Sequence, residues 1–484
     1  MTKSTIRRTR LAVYATLLFI LISQGAYSEE RDGATIYVEF CAACHDVGTA
    51  QAPLLSDDAY WTELLEQAGS TSALANTVVE GKGAMPKMGG CGDCNQDEIR
   101  LAVEYMMPGG HGSAAITRQQ IEDVLSTIEL PEGFSISLYA KGVTGARQLA
   151  LGDNGVVYVG SRGQGNVYAL VPNTQRSAAK AVHVLLRDLN EPNGVAYVDD
   201  NLYVAEIERI QRIAAPGIGP VESASIKVVR DDFPNRRWHG YKVLEMSVDG
   251  WLYTAVGVPC NTCDYRKSEP IFGTLVRLRP DGSDLQIYAD GVRNSVGMDW
   301  HPLTGELWFT DNGQDMMGDD LPPDEINRAP RKGMDFGFPY AYGKNQPSPN
   351  YTEADFPPDL TPAVYDLQAH VAPLGMAFYN GDMFPADYRG HILFAEHGSW
   401  NRSSKVGYKL SIAKVEGNSV TEVTPFATGW LQGEESLGRP VDVLNLPDGS
   451  VLVSDDQLGV VYRIEYAPTD TTARRPSAQN IAAN

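Results

Sequence analysis

Between residues 154 and 453 a turn bearing Gly or Asn runs straight into a short β-branched or aromatic strand, six times over. The instances are Asn154-Gly155-Val156-Val157-Tyr158-Val159, Asp200-Asn201-Leu202-Tyr203-Val204 and Asp249-Gly250-Trp251-Leu252-Tyr253-Thr254. They continue with Thr304-Gly305-Glu306-Leu307-Trp308-Phe309, Arg389-Gly390-His391-Ile392-Leu393-Phe394 and Asp448-Gly449-Ser450-Val451-Leu452-Val453. Most lead into a further strand, as at Val167-Tyr168-Ala169-Leu170, Leu275-Val276-Arg277-Leu278 and Val460-Val461-Tyr462-Arg463-Ile464. Their second turn residues lie 46, 49, 55, 85 and 59 positions apart. One such unit cannot bury its own apolar face, so units at a steady period must stack; a period of about 40–50 residues with four strands is that of propeller blades. The expectation is an all-β six-bladed propeller over residues 128–466. The widest interval holds a Pro-rich stretch from Leu321 to His370, which reads as a long insertion over one face. A β-sandwich would account for the strands but not for their spacing.

Ahead of the propeller the texture is helical. Asp57, Asp58 and Ser70 to Ser72 offer N-caps, and Asp97 to Met106 carries its apolar residues on one face. Pro108-Gly109-Gly110-His111-Gly112-Ser113 then punctuates the chain. This predicts a small all-α domain over 31–108 and a linker over 109–127; the Thr-, Ala-, Pro- and Asn-rich stretch 467–484 reads as a disordered tail. Residues 1–28 combine Lys3, Arg7, Arg8 and Arg10, the apolar run Leu11 to Ile22 and a small-x-small site at Ala26-Tyr27-Ser28. That is the pattern of a cleaved signal peptide, since the apolar run falls short of the ~20 residues a membrane span needs. The chain is therefore expected to be periplasmic or secreted, with no membrane span in the mature protein. Lys+Arg 40 against Asp+Glu 61 gives a net charge of −21, the wrong sign for nucleic acid or an anionic membrane surface.

Cys41-Ala42-Ala43-Cys44-His45 is a C-x-x-C-H motif, which marks covalent attachment of haem c. Cys41 and Cys44 would form the thioethers, and His45 would bind the iron. Gly83-Ala84-Met85-Pro86-Lys87-Met88 supplies the sixth ligand, and Met85, the residue before Pro, is preferred with Met88 in reserve. A thioether sulfur opposite His raises the potential and suits electron transfer. Cys91 and Cys94 follow, a pair expected to oxidise in an exported protein and to pin the ligand loop. The stretch from Ala84 to Met106 resembles the small soluble class I bacterial monohaem cytochromes c, which carry such a Cys-x-x-Cys between the Met and the last helix. Cys260 and Cys263 read as a structural disulfide, because no His or further Cys completes a zinc set.

Polar clusters recur where the later strands end: Trp238-His239-Gly240-Tyr241-Lys242, Gly291-Val292-Arg293-Asn294-Ser295, Asp311-Asn312-Gly313-Gln314-Asp315, His397-Gly398-Ser399-Trp400-Asn401-Arg402 and Gly438-Arg439-Pro440. Propeller loops of successive blades meet at one end of the channel, and Arg, carboxylate and His there suit an anionic cofactor and a metal. From about Leu130 to Ile464 these runs, with Asp324-Glu325-Ile326-Asn327 and Phe336-Gly337-Phe338-Pro339, resemble the soluble pyrroloquinoline quinone (PQQ) dependent glucose and sorbosone dehydrogenases. The Gly-Ser-Trp-Asn-Arg run and the Leu-Pro-Pro-Asp insertion are closest to the sorbosone and aldose branch. The resemblance implies that His239 takes the proton from a sugar hydroxyl as hydride leaves for the quinone. It further implies that Arg293 and Asn294 contact the quinone oxygens and that Arg439 pairs with a PQQ carboxylate. Gly313 and Gln314 would offer backbone carbonyls to Ca²⁺, and Asn193 would lie near the cofactor. Val441 stands where the family's glucose enzyme has a second Arg, and no Lys matches the family's cofactor Lys; Arg402, or less readily Lys405, would substitute. His370, His391 and His397 read as hydrogen-bonded loop residues near the channel. The expected activity is oxidation of an aldose sugar or sorbosone-like aldehyde, with electrons passed singly through the haem to an external acceptor such as a soluble cytochrome or terminal oxidase. A metal-dependent, lactonase-like hydrolase and a non-enzymatic docking protein are the competing expectations.

Overall fold

The computed structural model describes residues 33–45, 52–53, 55, 57–92, 94–107, 116–222, 225–352 and 356–468. The expected signal peptide, the start of the expected linker and residues 469–484 of the expected tail lie outside the described residues.

Three helices of the N-terminal unit begin where the sequence offers caps. Asp57 caps Asp58–Ala68, Ser70 caps Thr71–Glu80, and Asn95 with Glu98 forms a capping box on Gln96–Met106. Each cap oxygen takes an amide of the first turn that has no partner within the helix. The faces of these helices close on a small core of Tyr37, Trp61, Leu74, Ala75, Val103 and Met106.

The remainder is the expected propeller. Six sheets of four or five strands follow one another along the chain. Every turn-and-strand repeat becomes the second strand of a blade: Val157–Ser161, Asn201–Ala205, Leu252–Val256, Leu307–Asp311, Ile392–Glu396 and Val451–Asp455. These strands are flanked on both faces by neighbouring blades, which is why they are buried along almost their whole length rather than alternately. The ring closes through Phe134–Lys141, which pairs antiparallel with Val460–Tyr466 from Phe134 opposite Tyr466 to Lys141 opposite Val460. First and last strands of the domain thus share the sixth blade.

The first strands of successive blades touch around the axis, and there the blades are stitched by side chains. Gln148 Oε1 accepts from the amides of Val195 and Leu244, Asp299 from Phe378, and Asp442 from Leu149. Three of the first strands lose register with their neighbours near these points, which frees amides that side chains then satisfy.

Two expectations change. The stretch 321–370 is only partly an insertion: Glu325–Ala329 is the regular third strand of the fourth blade and Tyr365–Asp366 its fourth. The segment expected as a linker contains a helix, Arg118–Thr127, with a Thr117–Gln120 capping box. Its Ile121 and Val124 are buried with Tyr379, Trp430 and Tyr462 in the propeller core. Gly and His at 109–113 mark a linker locally, but Ile121, Val124 and Leu125 form an apolar stripe that the fifth and sixth blades cover. Among the described residues no helix is long and apolar enough to cross a membrane.

Candidate active site

The C-x-x-C-H residues lie in two short helical segments, Tyr37–Cys41 and Ala42–His45. Both thiols are free, as attachment of haem requires, and burial followed by the neighbouring Cys44 pushes the Cys41 thiol up to about 11. His45 Nδ1 lies 2.8 Å from Pro53 O, and its ring is 5.7 Å from that of Trp61. That carbonyl fixes the ring and leaves Nε2 as the nitrogen available to iron. The turn Lys87–Gly90 packs against the segment bearing Cys41, bringing the methionine loop to the same side. Met85 and Met88 are both half-buried in that loop, and Met88 adopts a φ of 58°. Cys91 and Cys94 are joined as a disulfide, as are Cys260 and Cys263.

At one end of the propeller channel is a cavity of about 750 Å³. Five arginines line it, Arg147, Arg162, Arg237, Arg293 and Arg439, together with His239, Asn294, Gly313, Asp324 and His397. A cavity this large with five guanidinium groups suits a polyanionic ligand the size of a cofactor. Arg147, Arg162 and Arg237 had no motif to reveal them, because they come from separate loops that only ring closure brings together.

His239 follows Trp238 on a loop and has a φ of 56°, a left-handed conformation that costs a non-Gly residue on the order of 1–3 kcal/mol. The backbone tolerates it because residue 257 is Gly: a Cβ there would sit 2.5 Å from His239 O. His239 Nδ1 lies 2.8 Å from Val258 O, so Nε2 carries the free lone pair. Burial, then the charge of Arg293, lowers its pKa to about 3. The imidazole is neutral and can accept a proton.

Arg293 is almost wholly buried and each edge of its guanidinium is held. Nε donates to Asn261 O at 3.0 Å, one terminal nitrogen to Asn312 O at 3.1 Å, and the other to Asn261 Oδ1 at 2.9 Å and Asp315 at 3.0 Å. Asn294 donates its backbone amide to Asp311, while its side-chain amide, on the cavity wall, bonds to no other described residue. Arg439 donates to His397 O and Gly398 O, and Arg147 to Asp456 and Asn193 Oδ1. Asp456 is largely withdrawn from solvent, yet its pairing with His397 and the charges of Arg147 and Arg439 hold it well below the usual carboxylate range. Asp324 also faces the cavity; burial pushes it up to about 7, although it accepts from the amides of Gly313 and Ala372.

Two expected residues, Asn193 and Arg402, fall elsewhere. Asn193 is behind the wall, where it takes Arg147 Nε and donates to Lys242 O. It holds an arginine rather than facing the cavity itself. Arg402 does not line the cavity: its guanidinium is spent on Ala369 O and on the carbonyls of Asp319 and Ser404. Arg147 and Arg162 line the cavity that Arg402 does not reach. Gly313 lines the cavity, whereas the Gln314 side chain points to Thr262 and Met317. Among the described residues the carbonyl oxygens of Gly313 and Gln314 receive no hydrogen bond. Among them, too, no group of three His, Cys, Asp or Glu side chains could hold a metal, so a hard cation here depends on such carbonyls. His370 and His397 line the cavity, His370 bonding Gly318 O and His397 bonding Asp456, whereas His391 accepts from Val415 N.

Residues 221–463 match the family model described as glucose / sorbosone dehydrogenase, and 28–106 match cytochrome C oxidase, cbb3-type, subunit III. A Borreliella burgdorferi protein of unassigned function is 33% identical over 362 residues, 71% of this chain and 92% of its own length. The aldose sugar dehydrogenase of Escherichia coli is 28% identical over 228 residues, 43% of this chain and 54% of its own. Cytochrome c5 of Ectopseudomonas mendocina is 36% identical over 76 residues, 16% of this chain and 87% of its own. The structure of the pyranose dehydrogenase PQQ domain from Coprinopsis cinerea superposes with a TM-score of 0.58 at 18% identity, covering 70% of this chain and 97% of that one. The chain belongs to the glucose/sorbosone dehydrogenase family, with an aldose sugar dehydrogenase-like propeller fused behind an N-terminal cytochrome c domain.

Proposed function

We propose that the protein is an exported quinohaemoprotein that oxidises an aldose sugar or sugar aldehyde with PQQ and Ca²⁺ and delivers the electrons singly through haem c to an external acceptor. The observation that carries this reading is a neutral His239, its Nδ1 committed to Val258 O, on the wall of a cavity ringed by five arginines. PQQ is a planar tricarboxylate, and the named family and the Coprinopsis cinerea PQQ domain share this propeller. Both disulfides fit an oxidising compartment.

When bound, PQQ with Ca²⁺ would supply an acceptor for a hydride equivalent from the sugar, and haem c a one-electron relay. The protein's own residues do the rest. His239 Nε2 accepts the proton of the anomeric hydroxyl, the role a neutral imidazole near its substrate can fill. Arg293 and Asn294 stabilise negative charge that accumulates on the quinone oxygens. Arg147, Arg162 and Arg439 hold the carboxylates, and the Gly313 and Gln314 carbonyls would receive the cation. Fusing the cytochrome to the propeller keeps donor and relay at high effective concentration.

The test uses haem-loaded protein, PQQ, CaCl₂ and a panel of aldoses, sorbosone and simple alcohols, followed by the absorbance of reduced haem. Haem reduction that requires both PQQ and sugar is the expected result. Lactone hydrolysis without PQQ, or no reduction with any carbohydrate, would overturn the proposal.

A further inference from the structure

One short segment, 258–263, bonds to three parts of the candidate active site: His239, Arg293 and the turn at 314–315. Val258 O receives His239 Nδ1 at 2.8 Å, and Val258 N donates to Arg293 O at 3.0 Å. Asn261 takes two of the guanidinium bonds of Arg293, one on its backbone oxygen and one on Oδ1. The same Oδ1 accepts the Asp315 amide at 2.7 Å, and Asn261 Nδ2 donates to Asp315 O at 2.8 Å. Thr262 Oγ1 donates to Gln314 Oε1 at 3.0 Å. The base, the quinone-facing arginine and the Gly313-Gln314-Asp315 turn are therefore tied to one another through six residues. Cys260 and Cys263 bracket Asn261 and Thr262 with a disulfide, and both cysteines pack on the buried residues between the second and third blades.

A loop at a propeller end would ordinarily be among the more mobile parts of such a molecule. Here its two polar residues have no freedom to leave. Arg293 is buried with Asp315 beside it; without the Asn261 side chain the guanidinium loses one of its two acceptors at that terminal nitrogen, and Asp315, the other, loses both bonds that fix its backbone.

We propose that Asn261 is a positioning residue for Arg293 and that the Cys260–Cys263 disulfide serves to hold Asn261 in register with the site rather than to stabilise the fold. This rests on the reading of Arg293 as a PQQ contact. Opening the disulfide lets Asn261 and Thr262 drift, Arg293 lose its fixed orientation, and the Gln314 turn loosen, so cofactor affinity falls while the blades stay assembled.

The experiment compares wild type, Asn261→Ala, Asn261→Asp and the double variant Cys260→Ser/Cys263→Ser, each as full-length haem-loaded protein. PQQ binding is read by quenching of tryptophan fluorescence, with Trp238 and Trp400 on the cavity wall as reporters, and folding by thermal melting. Loss of hydrogen bonds to a charged group predicts PQQ affinity weaker by roughly tenfold to a hundredfold in Asn261→Ala and in the double variant. Melting should be little changed. Asn261→Asp keeps the acceptor for Arg293 and for the Asp315 amide but loses the Nδ2 donor to Asp315 O, and should recover part of the affinity lost in Asn261→Ala. Moving Arg293 away from His239 should also raise the pH at which the sugar reaction loses its base, because the Arg293 charge holds that imidazole down. If wild type binds PQQ and Asn261→Ala binds it equally with the same pH profile, the positioning role is overturned. A double variant with wild-type affinity overturns the role of the disulfide. Wild type that binds no PQQ overturns the cofactor reading itself.

Discussion

At the residue scale the site is governed by what is neutral and what is charged. His239 works only as the free base, and burial with Arg293 places its pKa at about 3. The rate of sugar oxidation should therefore hold steady as pH falls through the ordinary histidine range near 6.5 and decline only well below it. Arg293→Gln removes the nearby positive charge, so the acid limb should move to higher pH; a profile of kcat/KM against pH measures this. His239→Ala should lower kcat by about 10²- to 10⁴-fold while PQQ still quenches fluorescence; unimpaired turnover would remove His239 from the mechanism. Arg147 is a second lever. It is 3% exposed and pairs with Asp456, itself largely withdrawn from solvent, so Arg147→Met should cost on the order of 3–5 kcal/mol in chemical denaturation and weaken PQQ binding together. Arg147 and Arg162 were invisible in the chain as written. An arginine next to no motif looks like any solvated cation until folding brings Arg147 beside Asn193, 46 residues on, and beside Asp456, 309 residues on.

Elements carry a different kind of information. The capped helices Asp58–Ala68 and Thr71–Glu80 start at the expected caps, because capping is decided within four residues of the chain. The six second strands are likewise legible, since their turns and their apolar runs are local. The helix Arg118–Thr127 is not, because a half-turn of apolar residues acquires meaning only when the fifth and sixth blades supply a surface for it. Ile121→Ala should therefore destabilise the propeller, not the cytochrome, by about 2–5 kcal/mol. Thermal melting followed separately by haem Soret absorbance and by tryptophan fluorescence would locate the effect. A change confined to the haem signal would return this helix to the linker.

The whole molecule answers to pH through its axis. Asp442 is buried and Glu245 and Asp299 are half-buried near the channel, and loss of hydration is the first cause that pushes Asp299 up to about 6 and Asp442 up to about 7, with Glu245 well above its ordinary value. A carboxyl raised on folding contributes stability that is complete below its unfolded value near 4 and is lost as pH rises through its folded value. Thermal stability should accordingly fall between pH 5 and 8, and Asp442→Asn, which keeps an acceptor for the Leu149 amide, should flatten that slope. A melting series across this range checks it; an unchanged slope would mean that the axis is not where the protein stores its pH response.

What the sequence by itself determined is what depends on neighbours along the chain. That comprises the haem-attachment motif, both Cys-x-x-Cys pairs, the helix caps, and the count of blades, which a repeated turn and strand encode at short range. What only the tertiary structure decided is which side chains meet: five arginines around one cavity, Asn193 behind Arg147 rather than on the wall, Arg402 spent on backbone carbonyls, and a six-residue segment binding base to guanidinium. The physical reason is the closure of the ring. Joining Phe134–Lys141 to Val460–Tyr466 brings residues hundreds of positions apart within hydrogen-bond reach, and no local pattern in a chain can specify a distance that only closure creates.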